Sequence, residues 1–415
     1  MRKVKRPRRI ESSLAKKAKK RSVSDPSLEF ISDPSGCPTA RAAQEFFREQ
    51  GVEDFRIVCG ATTEWRLESK LACRGSPARI GFFAPGSHSL VPQCSSPSHH
   101  PALNQAMQLV QEAVDHYEIP GFDDSNGSGV LRFVLARVQR ADSRVQLTLV
   151  LNAGCDLSAV DSMIDWLKQK GSWHSIWIHE HSGNKHDNAV TCRNGPWTLK
   201  FGDEFLKESM MSDSKLQVPL YFLPGVFRQA NMNGFEKIIR TIRRFVTPGS
   251  KVLELYGGVG TIGLNLLDKA QVLKCSDENP KNVSCFRKSL NHVQKKVQVL
   301  YVSKGAAAMV TLPFDYDVAI VDPPRKGLDP QVVAAFSRKC KFFASGSCTF
   351  GGKCKKSHAS GRIPQRLVYV SCGFPAFKRD AQALIQEGWR IIHAEGHILF
   401  PGADHIECLS VFERK

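Results

Sequence analysis

The stretch VLELYGGVGTIGLNL, Val252–Leu266, sets a short apolar strand directly against Gly257, Gly258 and Gly260. Glycine lets a backbone turn tightly and come close to a ligand. A helix is expected from Thr261 to Lys269, then a strand in QVLKCS and a helix from about Asn279. DVAIVD and RLVYVSC are two further short apolar strands, and CLSVF closes the chain. Alternating strands and helices imply a largely parallel sheet with helices on both faces, so the fold class is α/β and Rossmann-like. In such sheets ligands bind beyond the carboxyl ends of the strands. Asp277 follows the second strand, 20 residues after Gly257, where an acid can bind both ribose hydroxyls of a nucleoside-type cofactor. The glycine-rich loop alone fits NAD enzymes as well, so the choice of cofactor falls to the rest of the chain.

Upstream of this pattern, residues 36–205 are rich in strands. VLRFVLARVQRADSRVQLTLVLNAG alternates around Ala-Asp-Ser and reads as a long antiparallel hairpin. EWRLESKLACRG and ARIGFFAPGSHSLV add strands, and PALNQAMQLVQEAVDHY has helical spacing. No catalytic constellation is visible here, so this antiparallel β-rich region is assigned to substrate binding. A domain of residues 206–415 then carries the chemistry.

The charge of the 415-residue chain, +18, is concentrated. Residues 1–35 hold eleven basic and four acidic residues, and 338–362 hold seven basic residues and no acid, so each segment contributes +7. Two such patches argue for a polyanionic partner, most simply nucleic acid. The tail, with KVKRPRR and KKAKKR, is expected to be disordered and to serve as a nuclear or nucleolar import signal or an RNA-binding arm, an organellar address being the alternative. The first 21 residues carry eleven Lys/Arg and no apolar core, so no secretory signal is expected. No apolar run approaches the roughly 20 residues of a membrane span. Thirteen cysteines in so long a chain suggest a reducing compartment rather than a disulfide scaffold.

Three residues stand at strand ends. Asp322 opens VDPPRKGLD, where two prolines fix the backbone. Amino-directed DNA methyltransferases carry an aromatic residue after the paired prolines; Arg325 stands there, which makes an exocyclic amine a poorer target. Cys372 ends LVYVSC and is either a nucleophile or a small buried apolar residue. Glu407 in FPGADHIECLSVF is either a general base or a solvated turn acid.

FRQAN, LELYGGVG, DPPRKGLD, YVSC and FPGADHIEC occur in the order and approximate spacing of the RNA uridine C5-methyltransferases. The chain resembles that family strongly over 227–415 and weakly over about 45–200. Cys372-Gly373 is similar to a eukaryotic, plant-like branch, where bacterial relatives have Asn-Pro after the cysteine. The resemblance implies a class I methyltransferase fold, S-adenosylmethionine as cofactor, and tRNA or ribosomal RNA as partner. It makes Cys372 the nucleophile and Glu407 the base. Gln229, Tyr256, Thr261, Asp277 and Asp322 match cofactor and active-site positions, and Gly257, Gly258 and Gly260 the cofactor loop. Phe227 and Gln229 match the motif that contacts the target base. Attack of Cys372 on uracil C6 would make C5 nucleophilic toward a methyl sulfonium. Two family features are not expected here: an N-terminal RNA-binding β-barrel, since only the basic tail is seen before residue 36, and clustered iron–sulfur cysteines, since Cys37, Cys59, Cys73 and Cys94 are too far apart. The competing readings are a non-catalytic RNA-binding protein that keeps the fold, and a cytosine C5-methyltransferase. Intact Cys372, Glu407, Asp322 and Gln229 oppose the first; FRQAN and the Glu407 motif oppose the second.

KCKFFASGSCTFGGKCKKSH, Lys339–His358, interrupts this domain. Cys340, Cys348, Cys354 and His358 have the spacing of CCCH zinc fingers, and four ligands with no spare position mean a structural zinc. Phe342, Phe343 and Phe350 lie among Lys341, Lys353, Lys355 and Lys356, the mixture that single-stranded RNA binding uses. An inserted finger at 338–360 is expected between the helix after Asp322 and the strand leading to Cys372.

Overall fold

The structure is a computed structural model of the 415-residue chain; it describes residues 26–414 apart from 184–188, 193, 211–212, 215, 294–296, 312–314 and 338–363. The basic tail to residue 25 and all four expected finger ligands, Cys340, Cys348, Cys354 and His358, lie outside the described residues. The ten described cysteines are free thiols.

Helix α1 (Pro38–Glu49) and strand β1 (Arg56–Cys59) come first, followed by β2 (Glu68–Arg74), β3 (Arg79–Phe83), β4 (Leu90–Pro92) and helix α2 (Pro101–His116). Next come β5 (Leu131–Val138), β6 (Val145–Asn152), α3 (Ser158–Lys170), β7 (Trp173–His181) and β8 (Trp197–Gly202). A ribbon of β9 (Leu206–Glu208) and β10 (Leu220–Phe222) leads to α4 (Met232–Arg244). Strands β11 (Ser250–Leu255) and β12 (Ala270–Ser276), α5 (Lys281–Leu290), β13 (Gln298–Val302), α6 (Ala306–Met309), β14 (Val318–Val321) and α7 (Pro330–Phe336) follow. The chain ends with β15 (Arg366–Ser371), α8 (Phe374–Gln386), β16 (Trp389–Ile398) and β17 (Glu407–Arg414).

The first sheet has seven strands in the order β4-β3-β2-β5-β6-β7-β8. The expected hairpin forms: β5 and β6 pair antiparallel from Leu131↔Leu151 to Val138↔Val145. Its alternation does not leave a wet face, because β5 is buried along its whole length. Leu131, Val134, Ala136 and Val138 face the main core with α2 and α3, while Phe133, Leu135, Val150 and Ala72 form a small second cluster. The sheet is mixed rather than antiparallel, since α3 crosses over and returns β7 parallel to β6.

The second sheet has eight strands in the order β1-β16-β17-β15-β14-β11-β12-β13. Strands β11 to β15 are parallel neighbours, and β17 runs antiparallel between β15 and β16. The chain moves outward from β11 to β13 and then resumes on the other side with β14. Such a reversal opens a crevice at the carboxyl ends of β11 and β14.

Two expectations are corrected. Strand β1 pairs parallel with β16, Arg56↔Glu395 through Cys59↔Ile398, so residues 37–59 belong with the C-terminal sheet and not with the 36–205 region. The cause lies in α1, whose Phe46 and Phe47 rings pack on Phe374 and Phe377 of α8. The helix expected over 261–269 is only a 3-10 turn at Gly263–Leu266. All four of its residues are buried, which leaves no polar face for a longer helix. By Lys269 the chain has already turned, its carbonyl accepting from Gly249 N–H at 2.7 Å.

Candidate active site

At the carboxyl end of β11, Tyr256 has φ +58, a left-handed conformation uncommon for a non-glycine residue. Its hydroxyl donates to Asp329 Oδ2 at 3.0 Å and accepts from the Asp329 N–H at 3.2 Å, which holds the turn. Gly258 also lies in the left-handed region, at φ +55, with open space where a Cβ would stand. Its N–H donates to Asp277 Oδ2 at 3.0 Å, and its carbonyl accepts from the Tyr301 hydroxyl at 2.7 Å. Asp277 Oδ1 accepts from Asn279 N–H at 2.8 Å and from Asn282 Nδ2 at 2.9 Å. Gly257 N–H donates to the Ser276 carbonyl, and Gly260 N–H to the Gly257 carbonyl. The Thr261 carbonyl accepts from Asn265 Nδ2 at 2.8 Å. The loop and Asp277, distant in sequence, thus form one cradle beyond β11 and β12. Open space above Gly258 beside a fixed carboxylate fits a nucleoside-type cofactor.

Under this cradle lies an acid that the sequence reading passed over. Glu254 is buried and accepts from Gly263 N–H at 3.1 Å. Burial pushes its carboxyl up to about 7. Its one sequence signal is an acid inside the apolar run VLEL.

The reaction residues follow from strand register. Val321 of β14 is opposite Tyr369 of β15, and Ser371 of β15 is opposite Cys408 of β17. Asp322 therefore follows β14, Cys372 follows β15, and Glu407 opens β17 beside the carboxyl end of β15. Adjacent strands are about 4.8 Å apart, so the three groups share one rim of the sheet. Burial raises Asp322 to about 7, with the Glu254 charge adding to the shift. Burial, then the Asp322 charge, raises Glu407 well above the carboxylate range, against the pull of Arg325. The Cys372 thiol rises to about 12 by burial, then by the charges of Glu407 and Asp322, with Arg325 opposing. The three groups thus share burial that disfavours their charged forms, and Arg325 opposes it at Glu407 and Cys372. Glycine after the cysteine has a local reason: a Cβ on Gly373 would collide with the Arg325 carbonyl, so glycine lets the DPPR turn lie against the strand end.

The FRQAN segment alternates. Phe227 is 66% exposed, Arg228 is buried, and Gln229 is half-buried. Arg228 donates to the carbonyls of Leu67 and Val138, each at 2.8 Å, and pairs with Glu208 at 2.6 Å. Asn231 caps α4 through Gly234 N–H at 2.8 Å and donates to the Leu399 carbonyl at 2.9 Å. These two residues, which the sequence reading did not single out, bolt the segment to both sheets. Phe227 and Gln229 line a cleft of about 390 Å³ with Arg66, Lys70 and Phe400. Cys372, Asp322 and Glu407 are not among its walls. Glu254 feels the charge of Asp277 in the cradle and Asp322 on the rim feels that of Glu254, so the cradle and the rim adjoin. Among the described residues no three side chains are placed to hold a metal ion.

No family model matches the chain. An uncharacterized RNA methyltransferase of Protochlamydia amoebophila is 32% identical over 372 residues, which cover 86% of this chain and 87% of that protein. The chain belongs to the RNA methyltransferase family. A further family member from Lactococcus lactis is 24% identical over 350 residues, 81% of this chain and 67% of its own length. Among solved structures, the Pyrococcus abyssi tRNA (uracil-54, C5)-methyltransferase in complex with S-adenosyl-L-homocysteine aligns with TM-score 0.66 at 20% identity. That alignment covers 89% of this chain and 81% of that one, a likeness of fold. As a member of the RNA methyltransferase family the chain is an enzyme that uses S-adenosylmethionine, and its α/β sheet is the methyltransferase sheet.

Proposed function

We propose that the protein methylates C5 of a uridine in tRNA or ribosomal RNA through a covalent Cys372–C6 intermediate. The observation that carries the reading is the convergence of Cys372, Asp322 and Glu407 on one rim, set by the β14–β15–β17 register. Gly257, Gly258, Gly260, Thr261, Tyr256 and Asp277 would hold S-adenosylmethionine, which supplies an electrophilic methyl group when bound. A stacked base cannot reach the rim, so the uridine must be flipped out, at a cost of roughly a few kcal/mol. Cys372 gives its thiol proton to solvent and attacks C6 as the thiolate, and the C5–C6 electron pair moves into the ring as an enolate. C5 would take the methyl group as its bond to the sulfonium sulfur breaks, leaving a neutral thioether; Glu407 then removes the C5 proton, and the C6–S bond breaks to restore the ring and the thiolate. The proton must first leave Cys372, whose environment holds it, and Arg325 is the cation beside it that favours the thiolate. No helix among the described residues is long and apolar enough to cross a membrane.

The test is Glu407→Gln incubated with S-adenosylmethionine and RNA. Methyl transfer without proton removal leaves RNA attached to Cys372, seen as a gel shift that survives denaturation. Full turnover by this variant would remove Glu407 from the mechanism.

For residues 338–360 the reading is a structural zinc held by Cys340, Cys348, Cys354 and His358. Its support is the donor chemistry, three thiolates and an imidazole, together with the basic and aromatic residues between them. The segment would then grip RNA rather than take part in the chemistry.

A further inference from the structure

We propose that residues 1–25 serve as an arm that holds RNA phosphates at the mouth of the FRQAN cleft, and not only as an address. The proposal rests on the rim as the place where RNA is methylated, and it does not depend on the base being uridine.

The cleft itself is short of charge. Its walls are mostly neutral and polar, with Ser69, Gln93, Ser95 and Ser96 beside Gln229. Each Lys or Arg among them is engaged. Arg228 pairs with Glu208 at 2.6 Å and Lys70 with Glu68 at 2.9 Å. Arg66 donates to the Glu68 carbonyl at 3.2 Å, its guanidinium 5.4 Å from the Trp65 ring centre. Such walls suit a base, but they have no cation to spare for the phosphates on either side of it. Neutralised phosphates supply much of the affinity of a protein for nucleic acid. The cations must therefore come from outside the cleft.

The chain brings them there. Residues 2–21 hold eleven Lys/Arg against one acid, Glu11. The described chain takes up at Pro26, and from there to α1 it is fastened to the loop that ends at Glu407. The Phe30 N–H donates to the Gly402 carbonyl at 2.7 Å, and the Thr39 N–H donates to Asp404 Oδ1 at 2.8 Å. Gly402 has φ +101, and a Cβ on it would strike the Ser27 carbonyl, so the backbone at Ser27 lies against this loop. Ser27 itself lines the cleft. The same loop places Phe400 in the cleft wall, its ring 5.2 Å from that of His405, two residues before Glu407. Reach then follows from chain length. A residue spans at most about 3.6 Å, so Lys19, Lys20 and Arg21 lie within about 25 Å of Pro26 in any conformation. An import address needs no fastening of this kind, because a receptor reads it from any exposed terminus. Fastening ties the cations to one place, and a group tethered beside a bound ligand acts at a high effective concentration.

The experiment measures binding of the full-length protein to a short single-stranded RNA by fluorescence anisotropy at several salt concentrations. The wild type is compared with a variant carrying Lys16→Gln, Lys17→Gln, Lys19→Gln, Lys20→Gln and Arg21→Gln, and with a chain that has residues 1–25 after Lys415 instead of before Pro26. Strand β17 runs from Glu407 on the rim to Arg414, so the moved tail starts about 25 Å from the rim with its charge unchanged. The Gln variant should bind about tenfold more weakly, and its salt slope should fall by about 0.7 for each single-strand phosphate no longer neutralised. The moved tail should recover at most about a third of that loss. Affinity for S-adenosylmethionine, measured by calorimetry, should be the same in all three chains. Equal RNA affinity and slope for the wild type and the Gln variant would leave the tail an address and overturn the proposal. Full recovery by the moved tail would overturn it too, since charge would then act without position. Methyl transfer to RNA by the wild type, with the methylated base identified, tests the uridine reading separately.

Discussion

Two groups of buried acids in this molecule face opposite ways. At the junction of the sheets, Glu68 lies 2.8 Å from Arg137 and Glu208 lies 2.6 Å from Arg228. On β16, Glu395 accepts from Arg56 at 2.6 Å, Thr241 at 3.0 Å and His397 at 3.2 Å. Despite the cost of burial, the charges of Arg137, Lys70 and Arg228 hold the Glu68 carboxyl at about 2, and Glu395 is also held below its usual range. Around the cradle and the rim, Glu254 and Glu407 are buried and Asp322 is half-buried, with no such clamp, and all three are pushed up. Burying a charge is costly unless it is paired. Paired acids therefore act as bolts, while unpaired acids store reactivity that folding alone does not explain.

The hardest blow to this contrast is aimed at the rim. Cys372→Ala removes the nucleophile while leaving cradle and cleft intact, and turnover should fall by on the order of 10⁴-fold or more. S-adenosylmethionine affinity, measured by calorimetry, should stay within about twofold, and the melting temperature should hardly move. A rim whose loss unfolds the protein would be a bolt after all.

The reverse test is Arg228→Met. It strands Glu208 in the interior and deprives the Leu67 and Val138 carbonyls of their donor. Removing one member of a buried pair costs about 3–5 kcal/mol. Arg140, 2.8 Å from Glu208, softens the loss, so a value near the lower end is expected by urea denaturation. Adding Glu208→Gln to Arg228→Met should recover part of it. A loss below about 1 kcal/mol would deny the bolt.

How much of this was legible follows the sequence distance of the partners. The rim was readable because Asp322 and Cys372 each follow a short apolar strand and Glu407 opens one, and one register brings these ends together. The cradle was readable because Gly258 and Asp277 are 19 positions apart, at the ends of two successive neighbouring strands. The bolts were not. Arg228 is recognisable only beside Leu67, 161 positions away, and Asn231 only beside Leu399, 168 away. Nor could the addition of β1 to the second sheet be read, because Arg56 meets Glu395 across 339 positions. The 3-10 turn at Gly263–Leu266 failed for another reason: its apolar residues suit a helix equally well, and the shortness of the connection decides.

The two groups should also pull stability in opposite directions with pH. Between about pH 4.5 and 7 the folded chain keeps a proton on Glu254 that the unfolded chain has released, so stability falls as pH rises through this window. For Glu254 alone the span amounts to about 3 kcal/mol. Glu254→Gln should flatten that limb in urea melts from pH 4.5 to 8. Glu68 gives the opposite limb: its stabilisation, full above about pH 4.5, is lost as pH falls toward about 2. A Glu254→Gln variant that kept the slope of the wild type would place the source of the slope elsewhere.

The smallest expected effect extends the same logic to cations. Residues 338–362 carry seven basic residues and no acid, so within their own segment these charges have no bolt. By the contrast drawn above, their partner must come from outside, and a polyanion is the simplest one. A zinc bound to three thiolates would remove about one positive charge and leave the segment near +6. Cys348→Ser with Cys354→Ser should release the metal and weaken RNA binding by a few-fold. The salt slope should fall by about 0.7 for every single-strand phosphate that the segment no longer neutralises. Turnover on a short oligonucleotide at saturation should be unchanged, since in the sequence the segment falls between α7 and β15 and holds none of the rim residues. Zinc content, affinity at several salt concentrations and saturated turnover, measured on one preparation, decide the matter. A zinc-free wild type removes the metal. An unchanged salt slope after zinc loss would mean that these cations face solvent, and that unpaired charge marks function at the rim without marking it on the surface.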